Sequence, residues 1–178
     1  MCIGAARFLQ RGTTRTLAVA IAVRTLSIRR GTTEDAGRIS TFITALSEEY
    51  IVGEFSPEGR EHFLRDHTAS EVHKRLAGDF RFYLAESGDE LAGVAAIRSN
   101  AHLYYLFVGK PFQGIGLARR LWACVKEESL ALGNPGTFTV NASNYAVTAY
   151  ERLGFRRTEP VTEKNGVLYN PMQFVSAG

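Results

Sequence analysis

The sequence predicts an α/β (α+β) domain, a mixed sheet of about six to seven strands with about four helices packed on it. Two observations carry this. Runs of β-branched and aromatic residues recur as short segments, three of them in succession between Phe80 and Val108. Segments whose apolar residues repeat at three and four positions stand before and after them, each opened by helix-start chemistry or by glycine.

Residues 25–30 alternate as a first strand. Thr32-Thr33-Glu34-Asp35 supplies a cap and two acids where a helix begins, and Ile39, Phe42, Ile43, Leu46 and Tyr50 then make one apolar face. Ser56-Pro57-Glu58 opens the next helical stretch, with proline at its first position. Phe63, Leu64, Val72 and Leu76 line that stretch across a break near residues 68–70, where Ser70 is the expected cap of a further helix. Residues 80–86 and 91–98 read as a hairpin over Ser87-Gly88-Asp89-Glu90, and residues 102–108 as the next strand. Strict alternation there puts His102, Tyr104 and Leu106 on one face and Leu103, Tyr105 and Phe107 on the other. The following helix has Leu117, Leu121, Cys124 and Val125 inward, with Arg119, Arg120, Lys126 and Glu127 outward. Gly133-Asn134-Pro135-Gly136 stops it. Residues 137–141 form a strand, and Ala146, Val147, Tyr150 and Leu153 mark a short helix ended by Gly154. Residues 155–158 and 167–175 are the expected closing hairpin, turning at Glu163-Lys164-Asn165-Gly166.

At 178 residues, a single domain with a proper core is expected, formed by residues 26–178, with residues 1–25 as an N-terminal extension. Apolar content of 45% and charged content of 22% are ordinary for a globular protein. Cys2 and Cys124 are too few for a disulfide framework. The four histidines make no H-x-x-x-H or H-E-x-x-H spacing, so no metal is expected. A reducing, cytoplasmic setting fits. The net charge of +3 misleads, because Arg7, Arg11, Arg15 and Arg24 crowd the leader and the first acid is Glu34. Without those arginines the body is close to neutral, with no broad basic face for nucleic acid. The leader's apolar run, Leu17 to Val23, falls far short of the roughly 20 residues that span a bilayer, so no membrane segment is expected. An organelle transit peptide, a plain extension, and an element packed on the domain or on a second subunit all fit its composition.

The most informative stretch runs from Tyr105 to Trp122. Leu106, Phe107 and Val108 end a strand, Pro111 turns the chain, and Gly114 and Gly116 clear side chains from the point where a helix opens. A helix start offers unpaired N–H groups and the positive end of a dipole, which suits phosphate. The spacing is neither G-x-G-x-x-G nor G-K-[ST]. The loop alone therefore marks a phosphorylated ligand without naming it.

A second motif gives the loop its partner: Asn141-Ala-Ser-Asn-Tyr-Ala-Val-Thr-Ala-Tyr-Glu-Arg-Leu-Gly-Phe155. The pair resembles the GNAT superfamily of acetyl-CoA-dependent N-acetyltransferases. Gln113, Gly116 and Ala118 match its Q/R-x-x-G-x-G/A pattern, and Ala146, Tyr150, Gly154 and Phe155 its A-x-x-x-Y-x-x-x-G-F pattern. The resemblance covers residues 26–175, and the segment from Asn165 to Met172 resembles the tail of small bacterial members. It implies a GNAT fold, with a splay after the fourth strand. It also implies acetyl-CoA as co-substrate, its pantetheine lying along the exposed edge of Leu106, Phe107 and Val108. The pyrophosphate would sit on the backbone N–H groups of Gln113, Gly114, Ile115, Gly116, Leu117 and Ala118. The Val108 N–H would polarise the thioester carbonyl. Tyr150 would protonate the leaving thiolate as general acid; its plainer role is packing beside Ala146, Val147 and Leu153. Arg119 and Arg120 either add charge to the site or form a solvated helix face. Many members carry an Asn seven residues before the Tyr. Ser143 stands there in this chain and is the first candidate for that cofactor contact, Asn141 the second, while Asn144 reads as a helix cap.

Many members also carry a catalytic Glu on the strand before the loop, but residues 101–108 hold no carboxylate. His102, directly or through water, is the expected general base, because imidazole titrates near neutrality; a structural histidine is the alternative. Glu48 and Glu49 on the first helix are further candidates. Together with Glu54 they would attract a cationic amine, or simply solvate a helix end. The expected function is transfer of the acetyl group of acetyl-CoA to a primary amine by direct attack. The alternative is a non-catalytic acyl-CoA-binding regulatory module on the same fold. The acceptor stays open among a protein or peptide N-terminus, a polyamine, an amino acid and a small toxin or drug. A homodimer, common in the family, is a further expectation.

Overall fold

The computed structural model describes residues 26–176, so the basic leader and the roles suggested for it lie outside the described residues. β1 (Leu26–Arg30), β2 (Phe80–Ser87), β3 (Glu90–Arg98) and β4 (His102–Val108) form an antiparallel run. β5 (Thr137–Ala142) lies parallel beside β4. β6 (Arg156–Arg157) and β8 (Val167–Val175) complete the order β1-β2-β3-β4-β5-β8-β6, and β7 (Thr162–Lys164) pairs with β8 alone. α1 (Ala36–Tyr50), α2 (Pro57–Arg65) and α3 (Ala69–Ala77) stand between β1 and β2. α4 (Leu117–Ala131) makes the crossover that a parallel pair requires, and α5 (Val147–Arg152) follows β5. The architecture is mixed and helix-flanked, as the sequence predicts, with eight strands and five helices among the described residues.

Two apolar layers sandwich the sheet. Ile39 and Ile43 of α1 and Val72 of α3 meet Phe82, Leu84, Val94, Ala96 and Tyr105 on one face. On the other, Leu117, Leu121, Trp122 and Val125 of α4 meet Leu103, Phe138, Val140, Tyr150 and Phe155. Trp122 fixes this second layer, with ring centroids 5.0 Å from Phe138, 5.1 Å from Phe155 and 5.4 Å from Phe174. Trp122 joins Leu117, Leu121 and Val125 in the inward stripe of α4, and half-buried Cys124 packs against the edge of the same core.

Local chemistry sets most boundaries as expected. Ser56 caps α2, its hydroxyl accepting from the Gly59 N–H at 3.1 Å. The cap of α3 is Thr68, not Ser70, and it accepts from the Glu71 N–H. Asn165 and Gly166, at φ 53° and 75°, make the tight turn expected of an Asn-Gly hairpin. The strand entering that turn, however, is β7. Residues 156–157 pair instead with Met172 and Gln173 near the far end of β8. Pro160 ends β6 early, and the polar run of β7 carries no alternation to announce it.

The alternation expected along β4 fails at one place. The β3–β4 register shifts between Ala96 and Ile97, so Ala96 faces Tyr105 while Ile97 faces Leu103, and Tyr104 is the extra residue of a bulge. Tyr104 and Tyr105 therefore both pack on the α1 side, whereas Leu103, Leu106 and Val108 belong to the α4 side.

Arg29 ties β1 to the entrance of α1. Its guanidinium donates to both oxygens of Asp35, at 2.7 and 2.8 Å, and to Glu86 at 2.9 Å. These bonds hold the Asp35 carboxyl at about 2, below its ordinary 3.8. A carboxyl depressed in the folded state contributes stability above its unfolded pKa and loses that contribution as pH falls through the folded value. The urea midpoint should therefore drop between pH 3.8 and about 2, and Asp35→Asn should be less stable at neutral pH with a shallower drop.

Candidate active site

β4 and β5 pair only where His102 faces Thr139, with the Thr139 N–H donating to the Ala101 carbonyl at 3.0 Å. Beyond that point the two strands part, while β4 keeps its ladder with β3 as far as Val108. The Gly109 N–H donates to the Ala92 carbonyl at 2.9 Å. By the antiparallel alternation, Phe107 then faces β3 with its backbone groups, and Leu106 and Val108 turn theirs into the gap. The Val108 carbonyl accepts from Gln113 Nε2 at 3.1 Å. Its N–H has no protein partner among the described residues.

At the open end of the gap the chain makes a 3-10 turn, Lys110–Phe112, anchored by buried Phe112. Gly114 and Gly116 follow at φ 76° and 83°, and a Cβ on either would meet nothing within 4 Å. The first backbone bond of α4 runs from the Arg120 N–H to the Gly116 carbonyl, so Leu117, Ala118 and Arg119 present unpaired N–H groups there. Ile115 projects into solvent. Arg119 does not point its charge at this cradle; it donates to the Arg152 carbonyl at the end of α5. Arg120 donates to the Leu26 carbonyl.

Tyr150 lines the α4 side of the gap. It is 7% exposed and stands edge-on to Phe155, with centroids 5.5 Å apart. Burial raises its pKa above the ordinary phenol value, so the ring is neutral and carries its proton. Its hydroxyl makes no hydrogen bond among the described residues. At the end of β5, Asn141 is exposed, and the Ser143 hydroxyl is buried without a partner.

His102 is not brought to this place. It sits at the closed end of the gap, roughly 20 Å along β4 from Val108 at strand rise. Its Nδ1 is 2.8 Å from Thr139 Oγ1, and burial, aided by the charge of Arg98, lowers its pKa to about 4. A strand that supplies both the seam with β5 and the parted edge beside the glycine loop cannot put one residue at both ends.

Residues 49–54 close the mouth of the gap instead. On the β4 side, Lys110 Nζ donates to Glu49 at 2.6 Å, which lowers the Glu49 pKa. On the β5 side, Tyr50 stacks on Tyr145 at 4.7 Å, and Asn144 Nδ2 donates to Glu54 at 2.6 Å. Asn144 is therefore not a helix cap. Its Oδ1 accepts from Asn170 Nδ2 at 2.8 Å, and the same nitrogen donates to the Ala142 carbonyl. Glu48 points away, to Arg60 at 3.4 Å. α2 is held against the β7–β8 turn so closely that a Cβ on Gly59 would lie 2.1 Å from the Gly166 carbonyl oxygen. A groove of 610 Å³ lies between α1 and the β2–β3 hairpin; Gly109, Pro111 and Phe112 border it from the loop, but Leu106, Val108, Tyr150 and Glu54 do not line it.

Among solved structures, the chain is similar to a GCN5-related N-acetyltransferase from Rhodopseudomonas palustris, at 20% identity over 85% of this chain and 96% of that one, with a TM-score of 0.73. It is also similar to the PaiA N-acetyltransferase from Thermoplasma acidophilum in complex with coenzyme A, at 15% identity over 85% and 99%, with a TM-score of 0.70. A GNAT-family acetyltransferase from Streptococcus pneumoniae gives 20% identity over 86% and 100%, with a TM-score of 0.62. No curated protein matches the chain. Residues 51–176 match the family described as acetyltransferase (GNAT) domain. The chain belongs to the GNAT acetyltransferase family. No helix among the described residues is long and apolar enough to cross a membrane.

Proposed function

We propose that this protein transfers the acetyl group of acetyl-CoA to a primary amine. The observation that carries the reading is the unpaired edge of β4, which runs directly into the glycine cradle at the start of α4. The extended backbone of Leu106 and Val108 would pair with the pantetheine as an added strand does. The N–H groups of residues 113–118 would take the pyrophosphate, and positive φ at Gly114 and Gly116 lets the phosphate approach the backbone. The orphan hydroxyl of Ser143 suits a cofactor amide, in the place where other members carry Asn. Coenzyme A bound to the Thermoplasma neighbour supports the same choice of ligand.

When bound, acetyl-CoA supplies an activated acetyl thioester. The Val108 N–H, fixed by the β3–β4 ladder, holds the thioester oxygen and stabilises the charge that grows on it. Tyr150 delivers its proton to the departing sulfur, and burial that keeps the phenol neutral suits this task. The expected result is saturable acetyl-CoA binding by calorimetry, together with thiol release that depends on an added amine from a panel of spermidine, tyramine and a free-N-terminus peptide. Binding without amine-dependent thiol release would leave only the acyl-CoA-binding module. Absence of binding would remove both readings.

A further inference from the structure

We infer that Glu54 is the carboxylate that receives the proton of the acceptor ammonium, held in place by Asn144 and Asn170. This rests on the acetyltransferase reading above. β4 offers no carboxylate, and its histidine lies at the closed end of the gap. Residues 49–54 reach across the open end, from Lys110 on the β4 side to Asn144 on the β5 side. Of the two carboxylates in that bridge, Glu49 is neutralised by Lys110, whereas Glu54 has no cation within ion-pair distance among the described residues.

The hydrogen bonds fix the orientation of each group. The Ala142 carbonyl can only accept, so it takes the amide nitrogen of Asn170, as the Asn144 oxygen also does. Asn144 is then left with its own NH₂ toward Glu54 Oε2, and Glu54 Oε1 has no partner among the described residues. The corner holds one more unsatisfied oxygen. Asn170 is fully buried and its Oδ1 has no hydrogen-bond partner. A buried acceptor left open calls for a donor. An ammonium brings three donors and a charge opposite to that of Glu54. The Tyr50–Tyr145 stack beside it offers aromatic faces, which also favour a cation.

In the step, the ammonium becomes a neutral amine and Glu54 a carboxylic acid, which returns the proton to solvent. The lone pair so freed forms the C–N bond as the C–S bond breaks. Sulfur takes the proton of Tyr150, and the second proton on nitrogen restores the phenol.

Glu54→Gln keeps an oxygen for Asn144 but cannot take a proton. With whichever of spermidine, tyramine and the free-N-terminus peptide the wild type acetylates, kcat should fall at least about 100-fold while the acetyl-CoA Kd stays unchanged. Glu54→Asp should recover part of that kcat, and Asn144→Ala should show a smaller loss in the same parameter. A wild-type kcat in Glu54→Gln, or a loss confined to acceptor KM, would overturn the assignment and leave the transferase intact. If the wild type binds acetyl-CoA and acetylates none of the three probes, the transferase reading falls and takes Glu54 with it.

Discussion

Tyr150→Phe should lower kcat by about 100-fold or more while leaving acetyl-CoA affinity nearly intact, since positioned proton donors contribute roughly that much. The substitution removes one oxygen and keeps the ring. The edge-on contact with Phe155 and the packing beneath α4 therefore survive, and the fold should too. No hydrogen bond of Tyr150 to the described residues is lost, so the change is confined to what the hydroxyl does for a bound substrate. The competing view, that the ring only packs, predicts equal kcat in the two proteins. Turnover with saturating acetyl-CoA and acceptor, read as thiol release, separates the two views. A fall in kcat/KM that came wholly from acetyl-CoA KM would argue for a binding role instead.

The second large effect is expected at Gly116. Its φ of 83° is left-handed, and a Cβ there meets no protein atom within 4 Å. Gly116→Val adds strain of about 1–2 kcal/mol at this residue. It also fills the space where a phosphate would meet the N–H groups of α4. Acetyl-CoA Kd should rise by more than about tenfold, the equivalent of 1.4 kcal/mol, measured by calorimetry on protein whose circular dichroism is unchanged. Gly88 provides the control. It too has positive φ, at 60°, and open space for a Cβ, but it lies in the β2–β3 turn. Gly88→Val should cost comparable stability and leave acetyl-CoA affinity at the wild-type value. If both variants bind equally well, the glycine cradle does not hold the pyrophosphate.

The fold was legible where local chemistry is decisive. Ser56-Pro57 starts a helix in any context, and Asn165-Gly166 turns a hairpin wherever it falls. Reading failed where a choice depends on partners. The Tyr104 bulge reverses the face of Tyr105 relative to Leu103, and nothing in His102–Val108 alone asks for it; the pairing with β3 imposes it. β7 has no strand-like composition and forms because β8 offers it an edge. Asn144 looks like a helix cap because it stands before a helix. Its side chain goes elsewhere because Glu54 and Asn170 arrive from distant parts of the chain.

The sequence by itself determined the two halves of the candidate site, the glycine loop at Gln113–Ala118 and the Tyr150 motif. Positive φ, helix-start N–H groups and a phenol at fixed spacing are properties of neighbours in the chain. Only the tertiary structure decided how far β4 parts from β5, which backbone groups of Leu106 and Val108 face the gap, and which carboxylate stands at its mouth. Those are relations among residues such as 54, 144 and 170. Their contact follows from sheet order and helix packing, and no local pattern records it.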